Sequence, residues 1–141
     1  MMRYRAPPPM KQRIASCSCG QLTVTTRGEP VRVSVCHCLA CQRRTGSVFA
    51  AQARFPLDAV NMQGESSQYV RFGDEGGKAT FSFCPKCGAT VHYSVEGYDV
   101  KCIAIPVGAF ADPTFPSPSI SVYEERMHAW VNMPPNIEHM A

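Results

Sequence analysis

The sequence contains Cys17-Ser18-Cys19-Gly20 near its start and Cys84-Pro85-Lys86-Cys87-Gly88 past its middle. Both loops end in Cys-Gly, and each adjoins a segment with the alternating, β-branched pattern of a strand. Such loops are typical of metal knuckles, in which backbone N–H groups point at the sulfur atoms and glycine supplies the positive φ of the turn. Two knuckles provide the four thiolates of a closed structural zinc site. We therefore predict a structural zinc ion held by Cys17, Cys19, Cys84 and Cys87.

A third cluster reads Cys36-His37-Cys38-Leu39-Ala40-Cys41 and supplies three more thiolates. Three protein ligands with an open fourth position are the pattern of a catalytic zinc site. His37 is not favoured as the fourth ligand, because in a continuing strand residues 36 and 38 point to one side and residue 37 to the other. We expect His37 in the core or as a hydrogen-bond donor behind the ligands. A closed site completed by Cys102 is the alternative, although the apolar run around Cys102 is typical of a buried cysteine.

Seven of the eight cysteines fall in these clusters. An even number of cysteines also suits a secreted disulfide scaffold, but residues 1–9 have no apolar core that would serve as a secretory signal. A redox disulfide between Cys84 and Cys87 is a further alternative, but such a motif belongs in a βαβ context that the pattern lacks. Clustering of this kind indicates metal binding in a reducing compartment. We predict a cytoplasmic protein with two zinc ions per chain, the second more easily lost.

Length, hydropathy and charge limit the number of domains and the kinds of partner that the protein can have. A chain of 141 residues suits one domain, and we expect a flexible arm over 1–13, a zinc-binding domain over 14–135 and a tail over 136–141. No stretch approaches the ~20 apolar residues of a membrane span, so no membrane partner is expected. The formal net charge is +3, but seven thiolates and two Zn²⁺ ions would bring it to zero. We therefore expect no nucleic-acid partner.

The pattern of apolar residues predicts a mostly β fold. No long window has the period of ~3.6 residues that marks an amphipathic helix. Glycine and proline are scattered between short alternating segments, as in strands joined by turns. We predict short helical turns near 40–45 and 56–60, and strands over 21–26, 31–35, 47–55, 67–72, 78–83, 90–95, 100–105 and 119–123.

The motifs CxCG, CHCxxCxRxTG and FCPxCG, in this order, resemble those of the glutathione-dependent formaldehyde-activating enzyme family. The same signature occurs in the related centromere protein V group. The resemblance covers nearly the whole chain, and it rests on residues 17–20, 36–47 and 83–88 and on the late His128-Ala129-Trp130 and Pro134-Pro135.

The resemblance implies several small coiled antiparallel sheets around zinc knuckles, similar to the fold shared by the Rab-GTPase chaperone and methionine-R-sulfoxide reductase families. It implies structural zinc ligands at Cys17, Cys19, Cys84 and Cys87, and catalytic zinc ligands at Cys36, Cys38 and Cys41. The activity it implies is zinc-dependent condensation of glutathione with formaldehyde to S-hydroxymethylglutathione, a carbon–sulfur lyase reaction in reverse. The expected partners are thus a small thiol and a small aldehyde.

The chemistry of a three-thiolate zinc site leaves alternatives open. Such a site suits a substrate thiol better than water and would lower the pKa of that thiol. Arg43 and Arg44 follow the third cluster directly and would clamp a carboxylate of the thiol, unless they lie in an ordinary solvated turn. Three thiolates also weaken zinc as a Lewis acid. A regulatory or thiol-carrier module without turnover therefore stays open, as does a redox enzyme working through Cys38 and Cys41 or through Cys102.

Overall fold

A computed structural model describes residues 10–73, 77–97 and 101–141 of the chain. Helix α1 spans Leu39–Thr45, and 3-10 helices span Leu57–Ala59, Val107–Phe110 and Glu124–Arg126. None of the helices in the described residues is long and apolar enough to cross a membrane. The strands are β1 (Gln12–Ser16), β2 (Thr23–Arg27), β3 (Arg32–Cys36), β4 (Ala50–Pro56), β5 (Val60–Gln63), β6 (Ser67–Phe72), β7 (Lys78–Phe83), β8 (Thr90–Val95), β9 (Cys102–Pro106), β10 (Ile120–Val122) and β11 (Glu138–His139).

The strands form two sheets. The smaller has the order β1-β2-β5, and both of its pairings are antiparallel. The larger has the order β11-β10-β3-β4-β9-β8-β7-β6. Its pairings are antiparallel except at β10, which runs parallel to both β3 and β11. The predicted mostly β class with antiparallel sheets is confirmed, and one of the two sheets is an extended sheet of eight strands.

The main apolar core lies between the two sheets. Successive residues of a strand point to opposite faces, so the central strands of the large sheet each send one set of side chains inward. The buried cluster formed in this way includes Val33, Ala53, Phe55, Ile103 and Ile105 from the large sheet and Ala15, Leu22 and Val24 from around the small one. Cys17 and Cys84 belong to the same buried cluster. One end of each cysteine knuckle is therefore anchored in the core.

The opposite face of the large sheet lies beneath α1. Phe81 is opposite Tyr93 on the neighbouring strand, and Tyr93 is opposite Ala104, so these three side chains share one face. The Cζ atom of Arg44, which belongs to α1, lies 4.8 Å from the centre of the Phe81 ring. Cys41 of α1 packs against buried residues at the start of β4. The third cysteine cluster is thus on this second face, away from the main core.

Three of the predicted strands begin and end at the same residues as in the structure. Strands β6, β7 and β8 span the residues 67–72, 78–83 and 90–95 that the pattern predicted. Helix α1 and the 3-10 helix at 57–59 lie at the two predicted helical turns. Strands β1, β5 and β11 were not predicted. Strands β5 and β11 are short with mostly exposed side chains, and in β1 the apolar residues Ile14 and Ala15 are adjacent, so none of the three shows the clear alternation of a half-buried strand.

Strand pairings occur within the described parts of the two ranges, 1–13 and 136–141, that were predicted as an arm and a tail. Most of the arm predicted over 1–13 lies outside the described residues, but Gln12 and Arg13 belong to β1 and pair with β2. In the predicted tail over 136–141, β11 pairs with β10, and Met140 N donates to Ser121 O over 2.8 Å. Backbone pairing to a sheet edge requires no apolar pattern, so the sequence alone did not indicate these additions.

Candidate metal centres

The four cysteines predicted to hold the structural metal come together between the ends of two strands. Strand β1 ends just before Cys17, and β7 ends just before Cys84. These two cysteines are buried, whereas Cys19 and Cys87 are exposed. The four Sγ atoms lie within 4.8 Å of one another, and among the described residues no histidine or carboxylate joins them. The structure therefore forms one four-cysteine cluster at the margin of the core.

The two knuckles have matching turn geometry. Gly20 N donates to Cys17 O over 3.2 Å, and Gly88 N donates to Cys84 O over 2.8 Å. Gly20 and Gly88 have φ angles of 87° and 80°, in the left-handed region that favours glycine. The glycine that ends each knuckle thus has the conformation that the motif predicts.

Hydrogen-bond donors converge on the knuckle sulfurs. Leu22 N lies 3.3 Å from Cys17 Sγ, and Lys86 N lies 3.4 Å from Cys84 Sγ. The side chain of Gln21 adds a third donor, with Nε2 at 3.0 Å from Cys84 Sγ. Burial raises the pKa of Cys84, but donation from Gln21 and from backbone N–H groups outweighs it and lowers that pKa to about 6. These donors stabilise the thiolate form, which is the form that binds metal.

The three-cysteine cluster is assembled over a strand end and a single helical turn. Cys36 ends β3, Cys38 caps the N-terminus of α1, and Cys41 lies in the first turn of α1. Their Sγ atoms lie within 4.8 Å of one another. Cys38 Sγ accepts a hydrogen bond from Cys41 N at 3.3 Å. The helix cap therefore fixes the Cys38 sulfur against the first turn of α1.

The pKa values of two cysteines in this cluster are shifted in opposite directions. Hydrogen bonding from Cys36 and Cys38, together with the nearby cations of Arg44 and Arg71, outweighs burial and lowers the pKa of Cys41 to about 5. The same hydrogen bonding and burial raise the pKa of Cys36. The hydrogen bonding between these two cysteines therefore favours the thiolate at Cys41 and the protonated thiol at Cys36.

His37 and Cys102 do not belong to the three-cysteine cluster among the described residues. The His37 side chain is fully buried, and its Nε2 atom lies 2.8 Å from Ser121 Oγ. This agrees with the expectation that His37 packs behind the ligands. Cys102 lies on β9, where it is opposite Pro56 and half-buried. Among the described residues, the second cluster thus consists of three cysteines that could hold a metal ion.

The two arginines that were expected near the metal have different environments in the structure. Arg43 is exposed, whereas Arg44 lies over both Phe81 and Tyr93, with Cζ at 4.8 Å and 5.2 Å from the two ring centres. A further arginine, Arg71 of β6, lies 5.0 Å from the Phe81 centre. Sequence reasoning missed Arg71 because only the pairing of β6 with β7 brings it to this face.

The sulfur geometry fits zinc. Zn–S bonds of about 2.3 Å in a tetrahedron place neighbouring sulfurs roughly 3.8 Å apart. In the four-cysteine cluster, Cys19 Sγ lies 3.6 Å from both Cys17 Sγ and Cys84 Sγ. Sets of three or four thiolates without oxygen ligands favour zinc over the hard cations magnesium and calcium. The residues present therefore suit zinc in both clusters.

The fold and the two clusters define a mostly β protein with a four-cysteine knuckle site and a separate three-cysteine site. The family model of the glutathione-dependent formaldehyde-activating enzyme matches residues 12–126, and the chain belongs to this family. No curated protein matches the chain. The chain is similar to a Rhodobacter sphaeroides protein of known crystal structure, with a TM-score of 0.54 and 19% identity over 91% of this chain and 99% of that one. At that identity the likeness supports the fold alone.

Proposed function

We propose that this protein condenses a thiol of the glutathione type with a small aldehyde such as formaldehyde. In this reaction the thiol sulfur bonds to the carbonyl carbon, the C=O π bond breaks, and the thiol proton ends on the new hydroxyl oxygen. The observation that carries the proposal is the three-cysteine cluster, whose Sγ atoms lie within 4.8 Å of one another and which no fourth ligand from the described residues closes. The family assignment supports the same reaction.

The two clusters have different roles in this proposal. Cys17, Cys19, Cys84 and Cys87 hold a structural zinc ion that joins the ends of β1 and β7. Cys36, Cys38 and Cys41 hold a second zinc ion at the working site. That ion, when bound, would lower the pKa of a thiol at its open position and so supply thiolate at neutral pH. A site of this kind needs a reducing compartment, so we place the protein in the cytoplasm.

Hydrogen bonds from surrounding residues hold the backbone around the three cysteines of the working site. Cys38 caps α1, and Gln42 Nε2 donates to His37 O over 2.8 Å, which fixes the backbone between the ligands. His128 Nε2 lies 2.9 Å from Gln42 Oε1, so the late His128 motif contacts α1 beside the cluster. We propose that these contacts orient the thiolates, and that residues 14–135 form a single domain whose sheets are extended at the two ends by β1 and β11.

The decisive experiment compares the rate of S-hydroxymethylglutathione formation with the uncatalysed rate. We would measure it by exchange NMR at neutral pH, using zinc-loaded protein and the Cys38→Ser variant. The proposal expects acceleration by the native protein and only the background rate with Cys38→Ser. A native protein that binds glutathione without accelerating the reaction would instead be the thiol-carrier or regulatory module. A disulfide formed during turnover would identify a redox enzyme.

A further inference from the structure

The face of the large sheet that carries the working site is lined by aromatic and cationic groups. Directly opposed residues of neighbouring strands point to the same face, and so do residues two apart on one strand. Phe81 is buried and packs against Tyr93 with ring centres 4.9 Å apart. Arg71 is two residues beyond the partner of Phe81 on β6, so it lies on this face as well. The rings of Phe81 and Tyr93 thus form a flat surface beside the cysteines, which we call the aromatic floor.

Arg44 lies on that floor with its charge uncompensated by any described carboxylate. Its guanidinium stacks over Phe81 and Tyr93, and its Nε atom is buried without a hydrogen-bond partner among the described residues. The ion pairs of the described residues involve other cations, Arg13 and His139. An arginine that stacks on aromatic rings keeps its forked donors available, and this fork matches a carboxylate.

Arg71 places a second cation at the same ring. Its Cζ atom lies 5.0 Å from the Phe81 centre, compared with 4.8 Å for Arg44. Like charges held near one aromatic ring repel each other, and an anion bound beside them would relieve that repulsion. Because Arg44 is on α1 and Arg71 is on β6, the positive field comes from two separate elements of the fold.

We propose that Arg44, supported by the Arg71 cation, binds a carboxylate of the thiol substrate and so selects anionic thiols over neutral ones. This inference rests on the proposed function, because it assumes that the thiol binds at the three-cysteine cluster. Three thiolates exceed the double charge of Zn²⁺, so the loaded cluster is negative and would repel an anionic thiol. Cations beside the cluster offset that repulsion and give the carboxylate a partner.

The rival role for these arginines is to neutralise the thiolates without touching the substrate. The two roles differ in whether they need the forked geometry of arginine. A neutralising cation acts through its charge alone, so Arg44→Lys would retain the preference for glutathione, whereas a forked carboxylate receptor would lose most of that preference in Arg44→Lys. Arg43 provides a matched control, since it is a neighbouring arginine on α1 but is exposed.

The test measures dissociation constants of zinc-loaded protein by calorimetry for glutathione and for its diamide, in which both carboxylates are primary amides. We expect the native protein to prefer glutathione by on the order of tenfold, the effect of a charge-assisted hydrogen-bonded pair. Arg44→Gln should abolish this preference, Arg71→Gln should reduce it, and Arg43→Gln should preserve it. Zinc content and melting temperature would be measured for each variant, so that a lost metal is not mistaken for a lost receptor.

The outcomes separate this inference from the proposed function. If Arg44→Lys keeps the native preference for glutathione, or if Arg44→Gln weakens glutathione and the diamide equally, Arg44 is not a carboxylate receptor, and the inference is overturned while the proposed function stands. If the native protein binds neither thiol, the proposed function fails and the inference fails with it. Should Arg44→Gln not fold, Arg44→Lys keeps the charge and much of the aliphatic stem. It should lose most of the preference, because an ammonium cannot form the two-bond fork.

Discussion

Gln21 and Cys84 lie 63 positions apart in the sequence, and Gln21 Nε2 donates a hydrogen bond to Cys84 Sγ over 3.0 Å. The same amide also contacts the backbone of Glu65, donating to its carbonyl over 2.7 Å and accepting from its N–H over 2.9 Å. One side chain therefore connects a knuckle sulfur to the turn that follows β5. We infer that Gln21 positions the four-cysteine cluster although it is not a ligand.

Gln21→Met is expected to weaken metal binding at the four-cysteine cluster. The substitution keeps the length of the side chain but removes the donor to Cys84 and both contacts with Glu65. Loss of such a supporting group typically lowers metal affinity by about 10- to 100-fold. Competition with a chromophoric chelator would measure the affinity, with the exposed Gln68→Met as the control. Equal affinities of the two variants would contradict the positioning role.

Gly64→Ala is expected to disturb the same region through the backbone. A Cβ atom at Gly64 would lie 2.0 Å from the carbonyl oxygen of Gln21, and the φ angle of Gly64 is +102°. The clash and the strained φ together should reduce the free energy of unfolding by at least ~2 kcal/mol. Gly108→Ala is the control, because a Cβ there meets nothing within 4 Å. Urea denaturation would measure both variants, and similar stabilities would show that the turn relaxes easily.

The grouping of the cysteines into two clusters could be predicted from the sequence because each cluster is built from short local motifs. Each knuckle carries its own glycine and its own turn, and Cys36, Cys38 and Cys41 lie within one strand end and one helical turn. The groups around them could not be predicted in this way. Gln21 reaches Cys84, and Arg71 reaches Phe81, only through strand pairing over long sequence separations. Register between distant strands is not encoded in any short pattern of residues.

Strands β7 and β8 could be predicted because apolar and polar residues alternate regularly along them, whereas β11 is held by backbone pairing to β10 and has two exposed side chains. The different environments of Arg43 and Arg44 could not be predicted from the sequence either. Both were expected near the metal from their place in the sequence, but only the fold shows that Arg44 faces the aromatic floor while Arg43 is exposed.

Stability should fall as the pH drops below about 6.5, and His92 should account for part of this fall. Burial lowers the pKa of His92 below its ordinary value of 6.5. Above that value His92 is neutral in both the folded and the unfolded chain, so it contributes no pH dependence. Below it the unfolded chain binds a proton that the folded chain resists, and stability is lost. His92→Gln cannot ionise and should therefore flatten the slope between pH 7.5 and about 5.5.

The slope would be measured as the urea midpoint at several pH values, with the exposed Gln68→Met as a control that leaves every titratable group in place. The control should keep the native slope. An unchanged slope in His92→Gln would mean that the acid sensitivity arises elsewhere, for example from protonation of the cysteine thiolates.

The two cysteine clusters should respond differently to the loss of one thiolate. Cys19 and Cys84 lie 65 positions apart with their sulfurs at 3.6 Å, so a metal at that cluster closes a long loop and joins β1 to β7. Structural zinc sites contribute on the order of 10 kcal/mol of apparent binding free energy, which is comparable with the ~5–15 kcal/mol net stability of a domain. Cys84→Ser should therefore leave the chain largely unfolded or aggregated.

Cys38→Ser should preserve the fold, because the three sulfurs of its cluster come from neighbouring residues and a metal there closes only a short loop. Serine at position 38 can still accept the Cys41 N–H at the N-terminus of α1, so the helix cap survives. We expect this variant to melt near the native temperature, retain about one zinc ion per chain and lose glutathione binding. Melting temperature, zinc content and glutathione calorimetry, measured on both variants, test the division. If Cys38→Ser unfolds the protein as severely as Cys84→Ser, the second cluster is structural and the working site lies elsewhere.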